Sequence, residues 1–353
     1  MLTSLRLLNF RCFESLSLEL PEEGALFVGH NAQGKTSILE AVCVLVRLHS
    51  PRAKSMRPLM KFDASEFGIA GEGWERDLQV RHSRAGSKML IDGEELKTQG
   101  EYLENGGLVV WMGNEDVELV RGSGGSRRRY LDFICSQLDQ GYRRALSRYR
   151  RALKARNLLL KEPRLREDSI QAYTEILIEH GEYITSARQH VLTLLAPHLA
   201  NTQKSVSGRE EILAFEYQPG SGGSMVRAFE STAESERRQR QTLAGPHRDD
   251  FKILLNGFPA GDYASEGQQR TIALAMKLAQ GDVLRSVGGK MPVYLLDDIF
   301  GELDLQRRNA LMRYLPKSAQ KLITTTNLDW MDQDLAGWSR YLVDAGTAKL
   351  EDS

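Results

Sequence analysis

The sequence predicts an α/β fold whose sheet carries a phosphate-binding loop and whose chain is interrupted by a mainly helical lobe. Three segments lead there. Gly29-His30-Asn31-Ala32-Gln33-Gly34-Lys35-Thr36 is a complete G-x-x-x-x-G-K-[ST] loop, entered from the apolar run 25–28 and followed by a helix-like stretch over 37–48. Val293-Tyr294-Leu295-Leu296 reads as a strand buried on both faces, and it ends on Asp297 and Asp298. Ala264-Ser265-Glu266-Gly267-Gln268-Gln269-Arg270 is a small-residue turn opening a helix. In this order the three segments are those of an ABC-type P-loop ATPase head. Lys35 and Ser265 stand 230 positions apart, so one domain can hold both only if the chain between them forms an insertion.

The remaining elements follow from periodicity. Leu5, Leu7 and Phe10, then Leu16, Leu18 and Leu20, alternate as strands do. Further strands are expected at 67–70, 78–81, 89–91 and 108–112, with a hairpin turn at Asp92-Gly93. Leu131, Ile134, Leu138, Tyr142, Ala145, Tyr149 and Ala152 keep steps of three and four residues, as do Ile170, Tyr173, Leu177, His180 and Ile184. Each set makes one helical stripe, and the polar stretch near Pro163 joins the two into an antiparallel hairpin. Residues 205–208 and 219–224 read as loops, and 251–255 as a strand before Asn256-Gly257. A helix to about 284, a helix from about 304, a strand at 321–324 and a final hairpin over 341–350 complete the pattern. The expected organisation is an ATPase domain in two parts, 1–112 and 243–353, split by a helical lobe over 113–242.

Composition excludes several classes. The 353 residues are 41% hydrophobic and 27% charged, as in ordinary globular proteins, and 47 basic residues balance 47 acidic ones. Cys12, Cys43 and Cys135 form no C-x-x-C pair, so they read as reduced thiols and not as a disulfide or zinc framework. The apolar start is broken by Arg6 and Arg11, which argues against a signal peptide, and no run approaches a membrane span; a cytoplasmic protein without a membrane partner is expected. Charge is uneven, however. Between Arg121 and Arg166 there are 14 Lys and Arg against 3 acids, which marks a candidate nucleic-acid face. Its candidate DNA-binding residues are Arg127, Arg128, Arg143, Arg144, Arg148 and Arg151.

Each motif suits one part of ATP chemistry. Gly29 and Gly34 let the loop turn its N–H groups toward phosphate, together with His30, Asn31, Ala32 and Gln33. Lys35 suits the β- and γ-phosphates, and the Thr36 hydroxyl suits Mg²⁺. Asp297 is expected to reach Mg²⁺ directly or through water, while Asp298 is placed to polarise the attacking water. Ser265, Gly267 and Gln268 open a helix whose N-terminal dipole favours an anion. In ABC-type machines that element serves the site of the opposite subunit, so an ATP-dependent homodimer is expected. Serine is also an ordinary helix cap, and a charge run is also an ordinary solvated face.

The chain resembles the RecF family of bacterial recombination mediators, which is related to the heads of SMC-type ATPases. The resemblance rests on Asn9-Phe10-Arg11-Cys12-Phe13, on Gly29 to Ala41, and on Glu115 to Gly122 followed by Arg127 to Asp132. It continues through Gly245-Pro246-His247-Arg248-Asp249-Asp250, Gly267-Gln268-Gln269-Arg270-Thr271, Leu296-Asp297-Asp298, Glu302-Leu303-Asp304 and Thr324-Thr325-Thr326. Two departures stand out: Glu266 replaces a neutral or basic residue, and Met112-Gly113-Asn114 lacks a proline before the Glu-Asp pair. The resemblance implies a slow, DNA-stimulated ATPase that dimerises on duplex DNA near single-strand/double-strand junctions. It further implies cooperation with RecR and RecO in loading RecA, in gap repair, replication-fork maintenance and the SOS response.

Other readings remain open at this level. An ATP-gated DNA clamp with little hydrolysis would use the same residues. A transporter-type ATPase subunit fits less well, because Ser265-Glu266-Gly267-Gln268 and Asp297-Asp298 differ from the usual Ser-Gly-Gly-Gln and Asp-Glu pairs. A full SMC protein needs coiled-coil arms longer than the two helices seen here.

Overall fold

The computed structural model describes residues 1–328 and 338–351. The chain divides into two compact units, one of Met1–Asp116 with Lys277–Ser353, the other of Val117–Met276. The first unit begins with a hairpin of β1 (Ser4–Phe10) and β2 (Phe13–Glu19), then β3 (Gly24–Val28) and helix α1 (Lys35–Arg47). An antiparallel meander follows: β4 (Glu66–Gly73), β5 (Arg76–Ser83), β6 (Gly86–Ile91) and the short β7 (Glu94–Glu95). It builds on β1 to give the sheet order β2-β1-β4-β5-β6-β7. Asp92 and Gly93 both take positive φ between β6 and β7, as the expected turn requires. Thr98 and Glu101 then form a reciprocal capping box for α2 (Gln99–Asn105), and the buried β8 (Val109–Gly113) follows.

The second unit is mainly helical. The short α3 (Glu118–Arg121) precedes α4 (Gly124–Leu138), α5 (Gln140–Leu159) and α6 (Glu167–Ser207). The apolar stripe over 131–152 is thus shared by two helices, not one. Asp139 ends α4 and accepts from the Gly141 amide to cap α5, while the four-residue step from Leu138 to Tyr142 carries the stripe across the break. Helices α5 and α6 form the expected antiparallel hairpin, with Arg156 bonded to Thr174 near its turn and Tyr142 beside Arg188 further along. Residues 205–207, expected as loop, form the last turn of α6, which ends at Gly208 with φ 64°.

Two elements escaped the sequence reading: β9 (Leu213–Gln218) and α7 (Met225–Gln239). Strand β9 pairs antiparallel with β10 (Asp250–Leu255), which also carries the short β11 (Phe258–Pro259). The expected boundary at 242 therefore falls inside this unit, because β9 and β10 bind residues from both sides of it. The short α8 (Ala260–Tyr263) and the first part of α9 (Glu266–Gly288) complete the unit.

Two buried arginines organise the helices. Arg188 reaches Asp132 at 2.8 Å, Asp249 at 2.9 Å and the Pro246 carbonyl at 2.7 Å. Arg156 reaches Glu236 at 2.6 Å and the hydroxyls of Thr174 and Thr242, both at 2.9 Å. Buried guanidinium groups need such full sets of acceptors.

From Lys277 onward the chain completes the first unit with β12 (Val293–Asp297), α10 (Leu305–Tyr314), β13 (Lys321–Thr325), β14 (Ser339–Asp344) and β15 (Thr347–Leu350). These strands join β3 and β8 in the order β15-β14-β3-β13-β12-β8. All neighbours are parallel except the edge pair of β14 and β15. Helix α1 lies between the two sheets, against β8, β12 and β13 on one side and β1, β4 and β5 on the other. That position explains its composition: Ile38 through Val46 are all fully buried, a run with no polar face except Glu40.

Candidate nucleotide-binding site

Strand β3 is buried over Ala25, Leu26 and Phe27 and delivers the chain to the loop at the C-terminal end of the parallel sheet. A ligand site is expected at such an edge. Close backbone approach dictates the two loop glycines. A Cβ on Gly29 would stand 2.2 Å from the Val343 carbonyl oxygen, and one on Gly34 would stand 2.7 Å from the Cys12 sulfur. Gly34 also has φ 114°, which disfavours any side chain. His30, Asn31 and Ala32 are exposed along the loop, and the Gln33 side chain accepts from the Ala345 amide at 2.7 Å.

Lys35 and Thr36 open α1. The Lys35 ammonium arches back over the loop and donates to the carbonyls of Gly29 at 2.7 Å and His30 at 2.8 Å. Burial lowers its pKa, opposed by the carboxylates of Asp298 and Asp297. The Thr36 hydroxyl donates to Asp297 at 2.8 Å, bringing together two residues 261 positions apart. Thr324, directly opposite Asp297 in the β12–β13 register, donates to the same oxygen at 2.8 Å. Burial pushes the Asp297 carboxyl above its ordinary range, against the lowering effect of both hydroxyls.

Asp298 takes φ 51°, an uncommon conformation that turns the chain sharply at the end of β12. Its amide donates to the Thr324 hydroxyl at 2.9 Å, which holds the turn. Burial raises the Asp298 carboxyl, with Lys35 opposing and Glu302 adding to the effect. Lys35, Thr36, Asp297 and Asp298 thus converge in one unit. Thr36 and Asp297 offer hard oxygen donors suited to Mg²⁺, and no cluster of three or more His, Cys, Asp or Glu suited to a metal occurs among the described residues. A cation here would draw its other ligands from phosphate and water.

Sequence reasoning missed two supports of this site. Thr324 was visible as a hydroxyl at the end of a buried strand, but its pairing depends on register. Glu40 is fully buried in α1 and receives Arg11 through two hydrogen bonds of 2.8 Å and Ser50 through one of 2.6 Å. This clamp fixes α1 to the β1–β2 turn, where Cys12 and Phe13 back Gly34.

In the second unit, Ser265 and Gln268 form a reciprocal capping box at the start of α9: the Gln268 amide donates to Ser265 at 3.3 Å, and the Ser265 amide to Gln268 at 3.0 Å. Ser265 is exposed and Gly267 half-exposed. Glu266 pairs with Arg270 at 3.0 Å along the same helix.

The six candidate arginines separate into two groups. Arg127 is tied to Asp250 through two hydrogen bonds of 2.7 and 2.9 Å, Arg128 to the Asp249 carbonyl at 2.6 Å and Arg143 to the Ser136 carbonyl at 2.7 Å. Arg144, Arg148 and Arg151 are exposed and share one face of α5. The acids of Gly245-Pro246-His247-Arg248-Asp249-Asp250 serve as anchors: Asp249 for Arg188 and Asp250 for Arg127.

Residues 1–336 match the family model described as RecF/RecN/SMC N terminal domain. The DNA replication and repair protein RecF of Synechococcus sp. (strain JA-3-3Ab) is 34% identical, covering 95% of this chain and 92% of its own. That of Shouchella clausii (strain KSM-K16) is 33% identical, covering 98% of both. The Smc head domain of Pyrococcus furiosus, 16% identical with a TM-score of 0.55 over 99% of this chain and 95% of its own, shares the fold. Parallel sheet, phosphate loop and paired carboxylates together define an ABC-type ATPase head of the SMC-like class. A solved structure of the recombination mediator protein RecF with ATP matches with a TM-score of 0.88 and 31% identity over 99% of this chain and 97% of its own. The chain belongs to the RecF family of DNA replication and repair proteins.

Proposed function

We propose that this chain is a slow, DNA-stimulated ATPase that pairs with a second copy of itself on duplex DNA near single-strand/double-strand junctions, in the cytoplasm. The observation that carries this reading is the convergence of Lys35, Thr36, Asp297 and Asp298 at the end of one parallel sheet. The described residues contain no helix long and apolar enough to cross a membrane.

In this mechanism the loop amides of 29–34 and the Lys35 ammonium bind the phosphates of ATP. Thr36 and Asp297 are the residues that would hold Mg²⁺, which when bound would neutralise phosphate charge during transfer. Asp298 orients the attacking water and accepts its proton, a task favoured by a carboxyl whose pKa burial raises above its ordinary value. Ser265, Gly267 and Gln268 of a second copy present a helix N-terminus to the γ-phosphate, so nucleotide joins the two chains and hydrolysis releases them.

The exposed Arg144, Arg148 and Arg151 bind DNA phosphates without reading sequence, and Arg128 and Arg143 add positive charge in the same unit, while Asp250 offsets the charge of Arg127. Family membership supports cooperation with RecR and RecO in loading RecA. Sedimentation with and without ATP and duplex DNA tests pairing and DNA capture together. A monomer under all conditions, or no cosedimentation with DNA, overturns the reading.

A further inference from the structure

The second unit contains a cavity of about 240 Å³ at the first turn of α4, lined by Gly125, Arg128, Arg129, Asp132, Arg150 and Arg188 among others. Four arginines line it against one aspartate. Setting Asp249 against Arg188 as well leaves an excess of two positive charges. Arg128 and Arg129 converge where Gly125 leaves space: a Cβ there would meet Arg129 Nη1 at 3.6 Å and Arg128 Nη2 at 3.9 Å. The first turn of α4 carries no acidic residue, and Ser123 makes no side-chain cap. The Ser126 amide is taken by the Ser123 carbonyl at 3.0 Å, so only the amides of Gly124 and Gly125 stand ahead of the intrahelical ladder at this end of α4.

We propose that this cavity is a phosphoryl-binding pocket, gripped by Arg128, Arg129 and Arg150 and separate from the phosphate loop. Burial and the neighbouring Arg188 lower the Arg128 pKa, opposed by the carboxylates of Asp250, Asp249 and Asp132. The exposed Arg150 is held at the mouth by Asp132 at 2.9 Å, and the buried Arg188 is fixed to the other oxygen of the same carboxylate. Guanidinium forks suit a tetrahedral oxyanion. The volume admits a phosphoryl group with part of its sugar but is below that of a pocket for a drug-sized ligand. The phosphoryl group comes from a nucleic-acid strand or from a free phosphate compound. The strand source rests on the DNA-binding reading above; the pocket itself does not.

The test compares Gly125→Asp with Gly125→Ala in the full chain. The nearest atom to either new Cβ is the rotatable Ser123 hydroxyl at 3.3 Å, and an acid suits a helix first turn, so both variants fold. Thermal unfolding of each verifies that. Duplex binding is read by fluorescence anisotropy across a salt series, and free phosphate by the rise in unfolding midpoint on adding inorganic phosphate, against chloride at equal ionic strength.

If the pocket holds a strand phosphate, Gly125→Asp weakens duplex binding about tenfold and flattens the salt slope by about one, while Gly125→Ala keeps the parent values. If it holds a free phosphoryl group, duplex binding is unchanged, and inorganic phosphate stabilises the parent and Gly125→Ala more than Gly125→Asp. Indistinguishable Asp and Ala variants in both arms overturn the pocket. A parent chain that fails to bind duplex overturns the DNA reading instead, and the phosphate arm still decides the pocket.

Discussion

Replacing Asp298 by asparagine separates chemistry from architecture at the candidate site. Asp298 holds φ 51° at the end of β12, and asparagine accepts that conformation about as well as aspartate. Alanine there would add a backbone cost of about 1–2 kcal/mol and confuse the result. The hydrogen bond from the amide of residue 298 to the Thr324 hydroxyl at 2.9 Å is retained, because it uses the backbone. What the asparagine lacks is a carboxylate to accept a proton. Loss of a positioned base typically lowers turnover by about 10²–10⁴-fold. Phosphate release under saturating ATP and DNA should fall by that factor, while ATP-dependent pairing in sedimentation persists or strengthens. Turnover within about twofold of the parent would remove Asp298 from its role. Pairing without turnover in the parent itself would favour a clamp that works by binding alone.

Other expected outcomes follow from neighbouring geometry. Lys35→Arg keeps the charge, but a planar fork cannot reproduce the arch onto the Gly29 and His30 carbonyls; turnover should drop, and a normal rate would remove Lys35 from phosphate binding. Gly34→Ala forces a Cβ to 2.7 Å from Cys12 at φ 114°, so nucleotide affinity and unfolding midpoint should both fall, and parental values would refute the packing argument. Replacing Arg144, Arg148 and Arg151 by glutamine should flatten the salt slope of duplex binding by up to about 2.7, and an unchanged slope would move the DNA elsewhere. Burial, with Arg248 and Arg128, holds the His247 pKa below its ordinary value. Its contribution to stability is therefore complete above the unfolded-state pKa and is lost as pH falls through the folded one. Acid unfolding from about pH 7 downward should be shallower in His247→Gln than in the parent, and parallel curves would contradict this.

The parts of the fold legible in the sequence are those whose signal is local. The phosphate loop announces itself in eight consecutive residues, and β12 as four apolar residues before a carboxylate pair. The hairpin of α5 and α6 follows from two apolar stripes and a polar turn. What was hidden depends on partners remote in sequence. Strand β9 is short and only partly buried, and its identity comes from pairing with β10 some forty residues later. Helix α7 buries Met225 and Phe229 but also Glu236, whose charge is satisfied by Arg156, so its apolar stripe reads as broken. Arg127 and Arg128 look like surface charge until Asp249 and Asp250 are brought to them. The same blindness concealed Glu40, a charge inside a helix whose other side chains over 38–46 are almost all apolar. Ser265 is legible as a cap, and the geometry of α9 realises that cap; its action toward a second copy belongs to the proposal.

Strand β3, which delivers the phosphate loop, has β13 on one flank and β14 on the other. Both flanking strands lie some three hundred residues downstream. During synthesis the loop-bearing strand therefore emerges early and waits without a sheet while the entire helical unit is made. A chain that ends before residue 321 carries every residue of the loop, with Cys12 and Phe13 behind it, but neither of the strands that flank β3. Competence to grip nucleotide is in this way deferred to the end of translation, and a truncated product is disarmed by its topology.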